Sequence, residues 1–225
     1  MTKREEKTKQ AQKTIQKLIA AVDANPYDPQ AYYQLGVALT EMKSYPQAEE
    51  LFKRALNVFS NHPQKQSLLH YGLGNVFYAS GFYPEAIQEF QAVTDDKLAF
   101  DALIMLAQTN YAQEKYQACL AFALTALDKQ ANSVEALKLM ADSFMALGQF
   151  VDAETYYQKL LQIDSTNVAA LFQLGLTKMV LGKESKDIFA KVKSQDEAYY
   201  QKMQTRLQEA ETFVTKTNPK HKAGD

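Results

Sequence analysis

The sequence has little of what marks a disulfide-stapled, β-rich or membrane-spanning chain. Cys119 is the only cysteine in 225 residues, so no intramolecular disulfide can form, and a lone thiol fits a reducing compartment. Eight glycines and six prolines are too few for a turn-rich β-sandwich or a long flexible linker. The longest apolar stretch, Ala118 to Leu127, falls far short of the roughly 20 residues that span a bilayer. The first ten residues, MTKREEKTKQ, have no apolar core and no small-residue cleavage site, so they do not read as a secretory signal. The expectation is a cytoplasmic protein with no membrane partner.

Net charge is also small, −1 at pH 7, which gives no global argument for nucleic acid. The charge is unevenly spread. Residues 67–167 hold 5 basic and 12 acidic side chains, whereas 1–66 and 168–225 each hold 10 basic and 7 acidic. Solvated helix faces account for this pattern, and a weakly polar molecule that steers a partner is the sharper alternative.

Signatures of catalysis are missing too. His62, His70 and His221 share no metal-ligand spacing with Cys119 or with one another. Gly72-Leu73-Gly74 lacks a third glycine and a preceding strand, so it is no dinucleotide loop. No phosphate-binding lysine loop, GxSxG or HExxH occurs. The carboxylates lie along helix faces instead of pairing at a break. No enzyme, no cofactor and no metal are predicted.

What is present is internal repetition. Leu35-Gly36 recurs as Leu73-Gly74 and Leu174-Gly175, with Leu106-Ala107 and Met140-Ala141 in the same place between them. The small residues at 36, 74, 107, 141 and 175 are 38, 33, 34 and 34 apart. A second small site follows at Ala48, Ala86, Cys119 and Ala153, each three residues after an aromatic: Tyr45, Tyr83, Tyr116 and Phe150. Gly81, Gly148 and Gly182 share a third place. Tyr32, Leu35, Gly36 and Leu39 stand at i, i+3, i+4 and i+7, one helical stripe, and Ala48, Leu51, Phe52 and Ala55 make a second. Asp28 before Pro29 predicts an N-cap, Ser44-Tyr45-Pro46-Gln47 and Ser194-Gln195-Asp196-Glu197 predict capping boxes, and the three glycines predict left-handed helix ends. Each unit reads as a helix–turn–helix of about 34 residues.

This pattern resembles the tetratricopeptide repeat. The register gives an N-terminal half-repeat over 1–28, repeats over 29–62, 67–99, 100–133 and 134–167, and a degenerate fifth over 168–194. A capping helix follows over 195–216 and a disordered tail over 217–225. In the fifth repeat Asp187 stands at the small site, so its second helix is in doubt. No tryptophan fills the first large site, and Asn110 is polar where a large apolar residue is usual. The resemblance implies an all-α, right-handed α-solenoid, a superhelix of stacked helix–turn–helix repeats.

The resemblance further implies an adaptor or scaffold that binds a peptide or helix of another protein on a concave face lined by the first helices. The residues placed there are Tyr33, Val37 and Thr40; Tyr71, Asn75 and Tyr78; Ile104, Gln108 and Tyr111; Lys138, Asp142 and Met145; and Phe172, Leu176 and Met179. Tyrosine offers rigid area with a polar handle, although these rings would also serve to pack neighbouring first helices. Chaperone-binding relatives clamp a C-terminal carboxylate with basic side chains. The corresponding places here hold Tyr33, Val37, Gly72, Asp101 and Met105, none of them basic. Two alternatives stand beside this reading: a component of an RNA-processing assembly touching RNA through basic ends (Lys186, Lys191, Lys193 and the tail), and a homo-oligomer formed through the C-terminal region 196–225.

Overall fold

The computed structural model describes residues 3–217. Residues 218–225, nearly all of the tail expected to be disordered, lie outside the described residues. The described chain is all-α, as the repeat implies, and divides into two compact units, Met1–Gln113 and Glu114–Asp225. The division falls inside the segment 100–133 that the register treats as one repeat. The first unit holds α1 (Lys3–Ala24), α2 (Pro29–Glu41), α3 (Tyr45–Val58), α4 (Pro63–Ser80), α5 (Tyr83–Gln91) and α6 (Asp96–Ala112). The second holds α7 (Tyr116–Lys129), α8 (Val134–Ala146), α9 (Phe150–Ile163), α10 (Val168–Val180), α11 (Lys186–Gln195) and α12 (Glu197–Thr217).

In the first unit α1 packs on α2, α3 packs on α2 and α4, and α5 packs on α4 and α6. The first helices α2, α4 and α6 also touch their neighbours directly. In the second unit consecutive helices pack in series, and α12 rests on both α10 and α11.

The small repeat positions are where helices approach most closely. Ala48, Ala86, Cys119 and Ala153 are wholly buried, as are Ala107 and Ala141. A Cβ on Gly74 would lie 2.6 Å from Phe90 Cε1, and one on Gly175 would lie 2.7 Å from Phe189 Cε1. Glycine here is the space into which the aromatic of the following helix fits. Asn110, polar at an apolar place, is buried, and its amide N–H donates to the Leu106 carbonyl at 2.8 Å.

The helix ends follow the expected chemistry in part. Asp28 caps α2 by accepting from the Gln30 N–H at 2.9 Å, with Pro29 opening the helix. Gly81, Gly148 and Gly182 are left-handed, at φ 85°, 73° and 68°. Lys43 and Glu114 occupy the same repeat place and adopt φ 60°, so the turn imposes this conformation even where the residue is not glycine.

Two expected caps are corrected. Ser44 makes no side-chain cap on α3, because Pro46 removes one of the backbone N–H groups that a cap would engage. At α12 the cap is Asp196, whose Oδ1 accepts from the Tyr199 N–H at 2.8 Å, while the Ser194 hydroxyl donates back to the Lys191 carbonyl.

The doubt over the second helix of the fifth repeat is resolved: α11 forms. Its register is shifted, however. Phe189, not residue 191, packs against Gly175, seven residues after Gly182 where Phe90 stands nine after Gly81. Ser185 is the buried N-cap residue of α11, and Asp187 is exposed.

Candidate functional site

In the first unit the positions expected on the binding face lie on α2, α4 and α6. Tyr33, Val37, Thr40, Tyr71, Asn75, Tyr78, Gln108 and Tyr111 are half-buried. Each keeps surface toward solvent while its base is held by neighbours. Ile104 differs: it is buried and belongs to the packing of α6. The Thr40 hydroxyl donates to the Gly36 carbonyl at 2.7 Å, so it serves its own helix.

The tyrosines do two things at once. The Tyr33 and Tyr71 rings stand 6.5 Å apart across α2 and α4, with planes inclined by 32°. Tyr71 also touches Phe90 of α5 at 5.9 Å, and Tyr78 touches Tyr83 of α5 at 5.8 Å. The rings pack between helices, and each keeps part of its surface toward solvent. Burial raises the Tyr33 phenol pKa above its ordinary value, and the charge of Asp101 on α6 adds to the rise. Burial likewise raises that of Tyr78, with Tyr83 adding. These phenols are therefore neutral hydrogen-bonding groups at physiological pH.

The second unit treats the same repeat positions differently. Lys138 and Asp142 pair with each other along α8 at 2.5 Å, and Asp142 also accepts the Tyr157 hydroxyl at 2.6 Å. The Met145 sulfur accepts from the Thr177 hydroxyl at 3.3 Å. Phe172 is fully buried, with the Phe189 ring at 5.5 Å and the Tyr199 ring of α12 at 6.0 Å. Leu176 is buried in the same cluster with Leu207 of α12, and Met179 borders it. The helix α12 thus covers the face of α10 on which Phe172 and Leu176 were expected to meet a partner. Its coverage was hidden from repeat logic because α12 lies outside the repeats.

Elsewhere the polar groups are mostly occupied with structure. His70 Nδ1 and Glu89 Oε2 share a hydrogen bond of 2.7 Å between α4 and α5. Lys183 donates to the buried Glu154 at 2.5 Å. Cys119 is buried, and burial pushes its thiol pKa up. A cavity of about 310 Å³ beside α10, α11 and α12 is bordered by Met179, Phe189, Lys183 and Glu184. There Lys183 is tied to Glu154, and Glu184 accepts the Lys186 backbone N–H. Among the described residues no cluster of His, Cys, Asp or Glu could hold a metal, and no helix is long and apolar enough to cross a membrane. Lys186, Lys191 and Lys193 are exposed on α11.

Two residues of interest lay outside the repeat-based selection. Tyr83 joins Tyr78 from the second helix, and Asp101 joins Tyr33 from α6. Tyr83 holds the recurring aromatic place that opens the second helices, whereas the Asp101 position does not repeat.

Comparison with known proteins follows this geometry. Tetratricopeptide repeat profiles match residues 27–99, 71–136 and 136–167. No curated protein matches the sequence. Among solved structures, the chain is similar to PilW, described as a widely conserved type IV pilus biogenesis factor, at a TM-score of 0.75 and 18% identity, covering 91% of this chain and 94% of that one. It is similar to PilF of Pseudomonas aeruginosa at a TM-score of 0.70 and 18% identity, covering 89% and 91%. It is also similar to YrrB, a repeat protein with an unusual peptide-binding site, at a TM-score of 0.65 and 18% identity, covering 84% and 97%. At these identities the likeness is one of fold.

Proposed function

Because the chain belongs to the tetratricopeptide repeat family, whose members generally serve as non-enzymatic protein-interaction scaffolds, we propose that it is an adaptor whose binding surface is the face of α2, α4 and α6. One observation carries this reading. Tyr33 and Tyr71 form a ring pair across two first helices and remain half-exposed, with Asn75 and Tyr78 further along α4. Half-buried aromatics are held rigid before binding, so little side-chain entropy is lost when a partner covers them. Asn75 adds an amide that can pair with the backbone of an extended peptide, or with the polar edge of a helix.

The α10 face contributes less, since α12 already occupies it. The partner surface is therefore assigned to the first unit alone. YrrB lends support to this extent: a chain of this fold can hold a peptide.

The test is affinity capture from an extract of the source cell, with the wild-type chain beside a Tyr33→Ala, Tyr71→Ala, Tyr78→Ala variant. Circular dichroism checks that the variant stays helical. The expected result is loss of specific partners from the variant. Retention of the same partners would show that binding lies elsewhere.

A further inference from the structure

We propose that the segment bound on this face is proline-rich and lies along α4 as a polyproline II helix. One proline sits against the Tyr33 and Tyr71 rings, and another, three residues on, against Tyr78 and Tyr83. This rests on the reading of the α2, α4 and α6 face as the binding surface and names the chemistry of its partner.

One helix joins two aromatic stations. At the first, the Tyr33 and Tyr71 rings stand 6.5 Å apart with planes inclined by 32°. At the second, Tyr78 and Tyr83 stand 5.8 Å apart with planes inclined by 54°. All four residues are half-buried, so each keeps part of its surface toward solvent. Tyr71 and Tyr78 are seven residues apart on α4, which puts them on one face, about 10.5 Å apart along the axis. A polyproline II helix repeats every three residues, about 9.3 Å along its own axis. Prolines three apart therefore reach both stations. Like-facing residues of a β-strand recur about every 6.7 Å and fit neither at one repeat nor at two.

The polar chemistry agrees. A polyproline II segment bonds none of its own backbone, so its carbonyls need donors. Asn75 stands between Tyr71 and Tyr78 on the same face of α4. Among the described residues its side chain makes no hydrogen bond, whereas the Asn110 amide is spent on the Leu106 carbonyl. A partner α-helix would bring its carbonyls already bonded. From Tyr71 to Ser80 α4 carries no charged side chain, and Tyr33, Val37 and Thr40 of α2 are uncharged too, which suits an uncharged segment. In the second unit the places of Tyr71, Asn75 and Tyr78 hold Lys138, Asp142 and Met145, so the stations belong to the first unit. Proline-rich segments dock on aromatic surfaces because they are already ordered and lose little entropy on binding.

The test uses the full chain. Random linear peptides displayed on phage are selected against it, and a fluorescein-labelled decaproline is titrated with it by fluorescence polarisation. Enrichment of prolines three apart and binding of decaproline are expected. Tyr71→Ala and Tyr78→Ala should each weaken decaproline about tenfold. Asn75→Ala removes no packed ring and should weaken it about fivefold, which decides the matter if a tyrosine variant loses its helicity. Moving the second proline of the best selected peptide by one place should also cost about tenfold. Enriched peptides that lack paired prolines, yet lose binding with Tyr71→Ala or Tyr78→Ala, overturn the proline-rich partner and leave the binding face standing. Binding indifferent to all three substitutions, or no binding by any peptide, overturns both.

Discussion

The tip of the Phe52 ring occupies the space that a side chain on Gly72 would need. A Cβ built on Gly72 would fall well inside van der Waals contact of Phe52 Cζ and Cε1, and one on Gly36 meets the same ring tip. Phe52 of α3 is fully buried between α2 and α4. Glycine on both first helices is what lets this aromatic close the stack.

The first prediction follows from that contact. Gly72→Ala gains helix propensity of about 1 kcal/mol. It also pushes a β-carbon into a ring that has no room to retreat, and such overpacking costs about 1–3 kcal/mol. The clash should win, and the urea midpoint of unfolding should fall. Pairing it with Phe52→Leu, which shortens the ring's reach, should make the two effects less than additive. An unchanged midpoint for Gly72→Ala would mean that Phe52 does not hold this position.

The left-handed turn residues give a second prediction with the opposite sign. Lys43 and Glu114 sit at φ 60° where three other repeats have glycine. A side chain in this region costs roughly 1–2 kcal/mol relative to glycine. Lys43→Gly and Glu114→Gly should each raise the melting temperature, despite the greater freedom that glycine gives the unfolded chain. The converse change, Gly148→Ala, should lower it. Nothing lies within 4 Å of a Cβ at Gly148, so any loss there reports backbone strain alone. A lower melting temperature for Lys43→Gly would show that the unfolded-state term dominates.

These two cases also show how far the letters could be read. Leu-Gly pairs, small crossing residues and aromatics recur in register, so the repeat, its helices and its first-helix face were visible from spacing. Gly72 was not, because its partner ring belongs to the preceding repeat and the glycine itself does not recur. Lys43 and Glu114 were not, because neither residue type signals a positive φ. The burial of Phe172 and Leu176 was not, because the helix that covers them is not a repeat element and leaves no mark on the repeat pattern.

The shifted register of α11 yields a third prediction. Spacing placed Asp187 at the helix crossing, whereas Phe189 packs there against Gly175 and Asp187 is exposed. Phe189→Ala should therefore empty the crossing and cost about 3–5 kcal/mol. Asp187→Leu should change stability by no more than about 0.5 kcal/mol, as surface substitutions usually do. The reverse order of effects in chemical denaturation would restore the unshifted register and sink the one described.

The last prediction concerns α12, whose apolar residues decide what the α10 face can do. Leu207 is buried in one cluster with Phe172, Leu176, Phe189 and Val192. A carboxylate placed there has no partner and would be strongly disfavoured in that apolar setting, so Leu207→Asp should lift α12 from α10. The uncovered face is aromatic and aliphatic, and exposed patches of that kind drive association. The variant should bind a hydrophobic dye more strongly and elute larger with rising concentration in sizing experiments, while the wild type does not. Self-association of the wild type that Leu207→Asp abolishes would mean that α12 is itself the contact between copies. A monomeric variant with no added dye binding would mean that α12 does not shield this face.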